Sequence, residues 1–352
     1  MFELKISKCN FLSHIFLEKL VSTHGLQRFT LVDDALYSAQ PVTDGIHNEK
    51  LLPVSGDDKE HHNLLIFSEG LHLQQLQLIT FALQDYCEVN SFKVVQVQGV
   101  AGFSICAKVL MKKTDGIKNK IEETAKQLSV ELCWFKRSPT LSEPGVLLMD
   151  MDSTVIAVEC IDEIAELAGV GEHVSAVTAR AMKGELDFAE SLRTRVACLQ
   201  GANELILQQV RDALPLMAGV ANLVYILKKH QWKVAIASGG FTYFAQYLQQ
   251  RLGLDASVAN ELEIVAGKLT GKVKGRIIDA EVKAETLVSL ATQWGIPGAQ
   301  TIAMGDGAND LVMMNAAALG VGLHAKPVVR EKADIAIRRG GLDVLLWVLA
   351  VN

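Results

Sequence analysis

Hydrophobic and polar positions divide the chain into two differently patterned parts. In the first, Leu64-Leu65-Ile66-Phe67 reads as a strand and residues 70–85 as a helix. Residues 92–98 alternate apolar and polar, the pattern of a half-buried strand whose successive side chains point to opposite faces. A strand is expected at 104–111, a helix at 116–128 and a strand at 130–135. The stretch Ser138 to Gly145, with Pro139 and Pro144, punctuates the chain as a linker. Beyond it, three short apolar runs, Val146–Met149, Val234–Ala237 and Thr301–Met304, each end in a turn rich in small or acidic residues. Residues 156–228 carry helical spacing, as in Ile161, Ile164, Ala165 and Ala168. The glycine-rich stretch 267–275 alternates apolar and basic residues and reads as a β-hairpin beside the strand ends. It lacks the Gly-Lys-Ser/Thr ending of a P-loop. Residues 1–60 hold an expected helix at 12–23 and one strand near 28–36.

The chemistry gathers at the strand ends. Asp150-Met151-Asp152-Ser153-Thr154 follows the first apolar run, and residues i and i+2 of a strand share a face. Two carboxylates ~4 Å apart repel by about 4 kcal/mol at an effective dielectric of 20. A cation between them, or a proton on one of them, relieves that repulsion. Ligands of open α/β sheets bind beyond the carboxyl ends of the strands, where this pair lies. Alone, an Asp-x-Asp is more often an acidic turn. A second acidic strand end, Gly305-Asp306-Gly307-Ala308-Asn309-Asp310, makes coincidence less plausible and offers hard oxygen donors suited to Mg²⁺. The third strand ends in Ser238-Gly239-Gly240-Phe241, a hydroxyl followed by free backbone N–H groups of the kind a phosphate oxygen needs. Lys283, at an expected helix start, lies between Ser238 and Asp306 in the sequence.

These four elements, in this order, resemble the motifs of the haloacid dehalogenase (HAD) superfamily, most closely the branch that hydrolyses O-phospho-L-serine at the last step of serine biosynthesis. The resemblance spans roughly residues 146–340. It implies a Rossmann-like parallel α/β sheet with a helical cap, about 156–228, inserted after the first strand. It implies one Mg²⁺ per site held by Asp150, by the backbone carbonyl of Asp152 and by Asp306. Asp150 would be the nucleophile and Asp152 the general acid and base. Ser238, Gly239 and Lys283 would hold the phosphoryl group, Asn309 would orient it, and Asp310 would fix Lys283. In the cap, Glu159 would meet the substrate ammonium and Arg195 its carboxylate, with Met182 and Phe188 as apolar walls. The alternative substrates are other small phosphoesters: phosphothreonine, phosphohomoserine or a sugar phosphate.

The earlier part, βαββαβ, has the order of a ferredoxin-like α+β fold and resembles the small ACT-type regulatory domains attached to amino-acid enzymes. A packing or dimerising module fits it equally well, and a homodimer through this part is one expectation. The division expected is 1–62, an N-terminal extension; 63–137, the ACT-like domain; 138–145, the linker; and 146–352, the phosphatase. A catalytically idle amino-acid sensor would be expected to lack the acidic pair, which is present here.

Composition narrows the partners. Of 352 residues 49% are hydrophobic, enough for a substantial core. A net charge of −6 without a basic tract argues against nucleic acid as the main partner. The six cysteines are scattered with no Cys-x-x-Cys, as expected for reduced thiols in the cytoplasm. The N-terminus carries Glu3, Lys5 and Lys8 and no long apolar run, so no signal peptide is expected. The apolar stretch 344–351 is too short for a bilayer, and no membrane partner is expected. His61-His62, beside Asp57, Asp58 and Glu60, is read as a solvated loop and not a metal site.

Overall fold

The computed structural model describes residues 2–4, 17, 28–32, 35–38 and 61–351 apart from 183 and 184; for 2–4, 28–32, 35–38, 90 and 182 it describes the backbone alone. Contacts divide the chain into two compact units, Met1–Thr140 with Ile337–Asn352, and Leu141–Ala336. The C-terminal residues thus group with the first unit, whereas the expected division runs the phosphatase domain to 352.

The first unit is built on an antiparallel sheet. Its strands are β1 (Phe2–Leu4), β2 (Arg28–Val32), β3 (Ala35–Ser38), β4 (His61–Phe67), β5 (Cys87–Val95), β6 (Ser104–Met111) and β7 (Glu131–Phe135), in the order β1-β3-β2-β5-β6-β4-β7. Helices Leu73–Leu83 and Ile117–Leu128 complete the βαββαβ order of β4 to β7. Leu73, Leu76, Ile79 and Leu83 recur at near-helical spacing and pack with Phe92, Ile105, Ile117, Ile121 and Leu132 into one core. Two expectations shift. Strand β5 begins at Cys87, because a bulge between Val89 and Ser91 breaks the alternation there, and it ends before 96–98. Two short paired strands, β2 and β3, stand where one strand is expected. The expected helix at 12–23 lies outside the described residues apart from buried Leu17. His61 and His62 open β4 and are not in a loop; the buried His62 ring stacks on Trp134 with centroids 4.8 Å apart.

Helix Val344–Leu349 buries all its side chains in this unit. The chain reaches it through a turn held by one carboxylate. Glu131, 2% exposed, accepts hydrogen bonds from the N–H groups of Arg338 (2.8 Å), Arg339 (2.7 Å) and Gly340 (3.3 Å). Glu131→Ala is expected to destabilise this unit by about 2–3 kcal/mol, the scale of charged buried hydrogen bonds. Hydrogen exchange should quicken first across 338–349; unchanged exchange there would refute the anchoring role. No helix among the described residues is long and apolar enough to cross a membrane.

The second unit is a doubly covered α/β sheet. Its strands β8 (Val146–Met149), β9 (Lys233–Phe241), β10 (Ala256–Val265), β11 (Lys268–Lys274), β12 (Thr301–Gly305), β13 (Leu319–Leu323) and β14 (Ile335–Ile337) stand in the order β11-β10-β9-β8-β12-β13-β14. From β10 through β9, β8 and β12 to β13 the pairing is parallel. Buried on both faces, the four residues of β8 are all apolar, as parallel strands require. Stretch 267–275 is not a hairpin in itself. It supplies the second strand of the β10–β11 hairpin, whose turn residues Ala266 and Gly267 both have positive φ. Strand β11 is tied to the cap, with Gly201 N–H donating to the Leu269 carbonyl at 2.8 Å and Leu269 N–H to that of Ala202 at 2.9 Å. None of its residues lines the cavity described below.

The cap consists of helices Cys160–Leu167, Gly171–Met182, Phe188–Cys198 and Leu205–Asp212. Its entering and leaving strands pair with each other: Ala157 N–H donates to the Pro215 carbonyl at 3.0 Å and Met217 N–H to that of Val155 at 2.9 Å. Helix Val220–Lys229 then lies against β9.

Candidate active site

The acidic and small-residue turns of β8, β9 and β12 meet at the carboxyl ends of these strands. They form the floor of a cavity of about 500 Å³, roofed by the cap. Asp150, Asp152, Ser238, Gly239, Asp306 and Asn309 line it from the sheet, and Glu159, Phe188 and Arg195 from the cap. Met182 lies at the end of its helix, and its side chain is outside the described residues. Strand β8 ends at Met149, so Asp150 and Asp152 face one cavity through the turn after the strand and not through strand alternation. That turn wraps around the Met151 carbonyl, which accepts from the N–H of Thr154, Val155 and Ile156.

Lys283 lies in the first turn of helix Ala280–Gln293, whose N-cap Asp279 accepts from the Val282 N–H. It is 1% exposed, and at the turns beyond β8 and β12 its Nζ meets Asp150 Oδ2 at 2.9 Å and Asp310 Oδ1 at 2.8 Å. Burial opposes its charge, yet the two carboxylates outweigh burial and raise its pKa. Asp310 is fully buried; its other oxygen accepts from Gly307 N–H at 3.0 Å, so it holds Lys283 and the β12 turn together. Asn309 Nδ2 also reaches Asp310 Oδ1 at 3.4 Å.

Negative charge is crowded here. Burial, then Glu159 and Asp150, pushes Asp152 up to about 8. Burial, then Asp150 and Glu159, pushes Asp306 up to about 6. Carboxyl oxygens of Asp150, Asp306 and Asp310 come within 4.8 Å of one another. With Asp310 committed to Lys283, the members of this trio that line the cavity are Asp150 and Asp306. This is a hard donor set whose mutual repulsion a divalent cation would relieve, so the residues fit a metal such as Mg²⁺.

The cap completes the site. Phe188 sits over Gly239: a Cβ on that glycine would lie 2.6 Å from the ring tip, so the close approach requires glycine. A Cβ on Gly240 would lie 2.7 Å from Asp152 Oδ2. Asp152 is held on its other oxygen by Cys160 N–H at 3.2 Å. Arg195 is partly buried, and its Nε has no hydrogen-bond partner among the described residues. Burial lowers its pKa while Asp162, Glu159 and Asp152 oppose that shift, which leaves a cation facing an acidic cavity.

Some contributors escape sequence reasoning. Ser153, at φ +57°, donates from Oγ to Glu159 Oε1 at 2.8 Å and so aims the Glu159 carboxylate. Asp162 and Lys326 line the cavity without belonging to any recognised motif. Buried Asn260, outside the cavity, bonds to the β9 turn. Ser153 belongs to the pentapeptide that follows β8, but nothing in the sequence signals its partner.

The family model for haloacid dehalogenase-like hydrolases matches residues 145–318. The chain is 56% identical over 225 residues, 64% of its own length and 72% of the other's, to a phosphoserine phosphatase of Haemophilus influenzae. It is similar in structure to an unliganded probable phosphoserine phosphatase from Vibrio cholerae, with 45% identity, a TM-score of 0.69, and 82% of this chain and 86% of that one covered. It is also similar to a phospho-aspartyl intermediate analogue of phosphoserine phosphatase, with 39% identity and a TM-score of 0.55, over 58% of this chain and 98% of that one. The chain belongs to the haloacid dehalogenase-like hydrolases, in the branch formed by the phosphoserine phosphatases.

Proposed function

We propose that the chain hydrolyses O-phospho-L-serine to L-serine and phosphate through a phosphorylated Asp150. The observation that carries this reading is one cavity lined by the Asp150–Asp152 pair at its floor and by Glu159 and Arg195 at its roof. The floor suits a phosphoryl group, and the roof suits the ammonium and carboxylate of an amino acid. The named relatives, phosphoserine phosphatases of Haemophilus influenzae and Vibrio cholerae among them, support the same substrate.

Asp150, held by Lys283, attacks the phosphorus, and the serine oxygen leaves. Asp152, two residues on, gives that oxygen its proton and then takes one from the water that cleaves the acyl phosphate. Lys283, Ser238 and the Gly239 N–H stabilise charge on the transferring phosphoryl oxygens. Asp150, the Asp152 backbone carbonyl and Asp306 would hold Mg²⁺, which when bound neutralises the repulsion between carboxylate and phosphate. The cap excludes water from the reacting atoms, with Phe188 packed on Gly239. The five described cysteines, Cys87, Cys106, Cys133, Cys160 and Cys198, are free thiols, which supports a cytoplasmic setting. The antiparallel unit serves as a regulatory or dimerising domain in this reading.

Arg195→Ala tests the roof. A guanidinium–carboxylate pair contributes a charge-assisted, bidentate interaction. The expected result is a KM for O-phospho-L-serine raised by about 30-fold, from a loss of roughly 2 kcal/mol, with KM for p-nitrophenyl phosphate nearly unchanged. An equal rise for both substrates would refute the carboxylate clamp.

A further inference from the structure

Strand β9 carries an irregularity where it forms the phosphoryl-facing turn. Along the parallel pairing with β10, Val258 stands opposite Ala237, but Asn260 stands opposite Phe241. Two steps on β10 therefore match four on β9, so Ser238, Gly239 and Gly240 stand against Ala259 alone, an excess of two residues. A bulge leaves backbone groups without their ladder partners, and buried ones need another.

Asn260 supplies it. Its side chain is 1% exposed, and its Nδ2 donates to the Gly239 carbonyl at 2.9 Å. Its Oδ1 accepts from the Ile278 N–H, also at 2.9 Å. Ile278 immediately precedes Asp279, the N-cap of the helix whose first turn carries Lys283. One amide thus ties the turn bearing Ser238 and Gly239 to the start of the element bearing Lys283. Both amide ends are used and in opposite senses, one donating and one accepting. A carboxylate could keep the bond to Ile278 but would face the Gly239 carbonyl with a second acceptor.

We propose that Asn260 is a positioning residue for phosphoryl transfer, fixing the spacing between the Ser238–Gly239 turn and Lys283. It does not line the cavity. The inference rests on the proposed function, because the spacing matters only if these groups share one phosphoryl group. Misplacing such groups by about 1 Å costs on the order of 10²-fold in rate.

The test compares the full-length wild type with Asn260→Asp and Asn260→Ala in saturating Mg²⁺, each assayed below its own Tm. The readouts are kcat and KM for O-phospho-L-serine and the inhibition constants of orthovanadate and L-serine. Orthovanadate probes the transferring phosphoryl position, and L-serine probes the cap. The expected result for Asn260→Asp is kcat lowered by about 10- to 100-fold. Vanadate inhibition weakens in proportion, while KM and serine inhibition stay within about threefold. If Asn260→Asp does not fold, Asn260→Ala carries the same test, since it adds no charge. A lowered Tm with kcat and vanadate inhibition within twofold of wild type would overturn the proposal. The same series on p-nitrophenyl phosphate separates the two readings. Wild type active on that ester but not on phosphoserine would sink the substrate assignment and leave the Asn260 comparison valid.

Discussion

Asp150→Asn is expected to fold normally and to release phosphate from O-phospho-L-serine about 10⁴-fold or more slowly than wild type, the scale of losing a nucleophile. The carboxamide keeps the shape; the native partners sit on different oxygens, Met151 N–H on Oδ1 and Lys283 on Oδ2, so the one amide oxygen keeps one of them while Lys283 stays paired with Asp310. What the variant lacks is a carboxylate that can form an acyl phosphate. Acid quenching during turnover, followed by mass spectrometry, should find a phosphoryl group on the peptide holding Asp150 in wild type and on no peptide of the variant. A phosphorylated variant, or a wild-type phosphoryl group elsewhere, would remove Asp150 from its role.

Lys283→Met should damage both stability and rate. The ammonium is the shared partner of Asp150 and Asp310, and none of the three side chains is more than one-tenth exposed. Removing one member of a buried ion pair leaves uncompensated charge and costs about 3–5 kcal/mol. For a unit of this size that corresponds to a Tm lower by roughly 10 °C. The same substitution removes a cation from the phosphoryl site, so kcat should fall by about 10²-fold or more. Calorimetry and phosphate release check the two effects separately. A stable, inactive variant would show that Lys283 serves chemistry alone. A destabilised but fully active variant would remove it from the chemistry.

The strand ends were the most legible part of the sequence. Asp150, Ser238 and Asp306 each follow an apolar run, and a parallel sheet brings such positions to one edge. The pattern in β4 to β7 was legible for the same reason, except at the Val89–Ser91 bulge, where alternation stops encoding the strand. Pairings made across the fold were not legible. Nothing in Val258-Ala259-Asn260-Glu261-Leu262 marks Asn260 as the amide that bridges Gly239 and Ile278. Likewise Glu131 reads as one polar residue in a strand, and only the folded chain brings the N–H groups of 338–340 to it. Apolar periodicity reports which face is buried, not which buried polar atoms find each other. The grouping of helix Val344–Leu349 with the first unit escaped for a similar reason, since an all-apolar helix does not specify which core it joins.

The most direct measurement is phosphate release by the full chain from O-phospho-L-serine, O-phospho-L-threonine and a sugar phosphate, each with Mg²⁺ and with chelator. The account predicts metal-dependent turnover with kcat/KM highest for phosphoserine and no turnover after chelation. Metal-dependent turnover that favours the sugar phosphate would contradict the assignment of Glu159 and Arg195 to an amino-acid substrate. Turnover of phosphoserine that persists in chelator would contradict the chemistry assigned to Asp150 and Asp306.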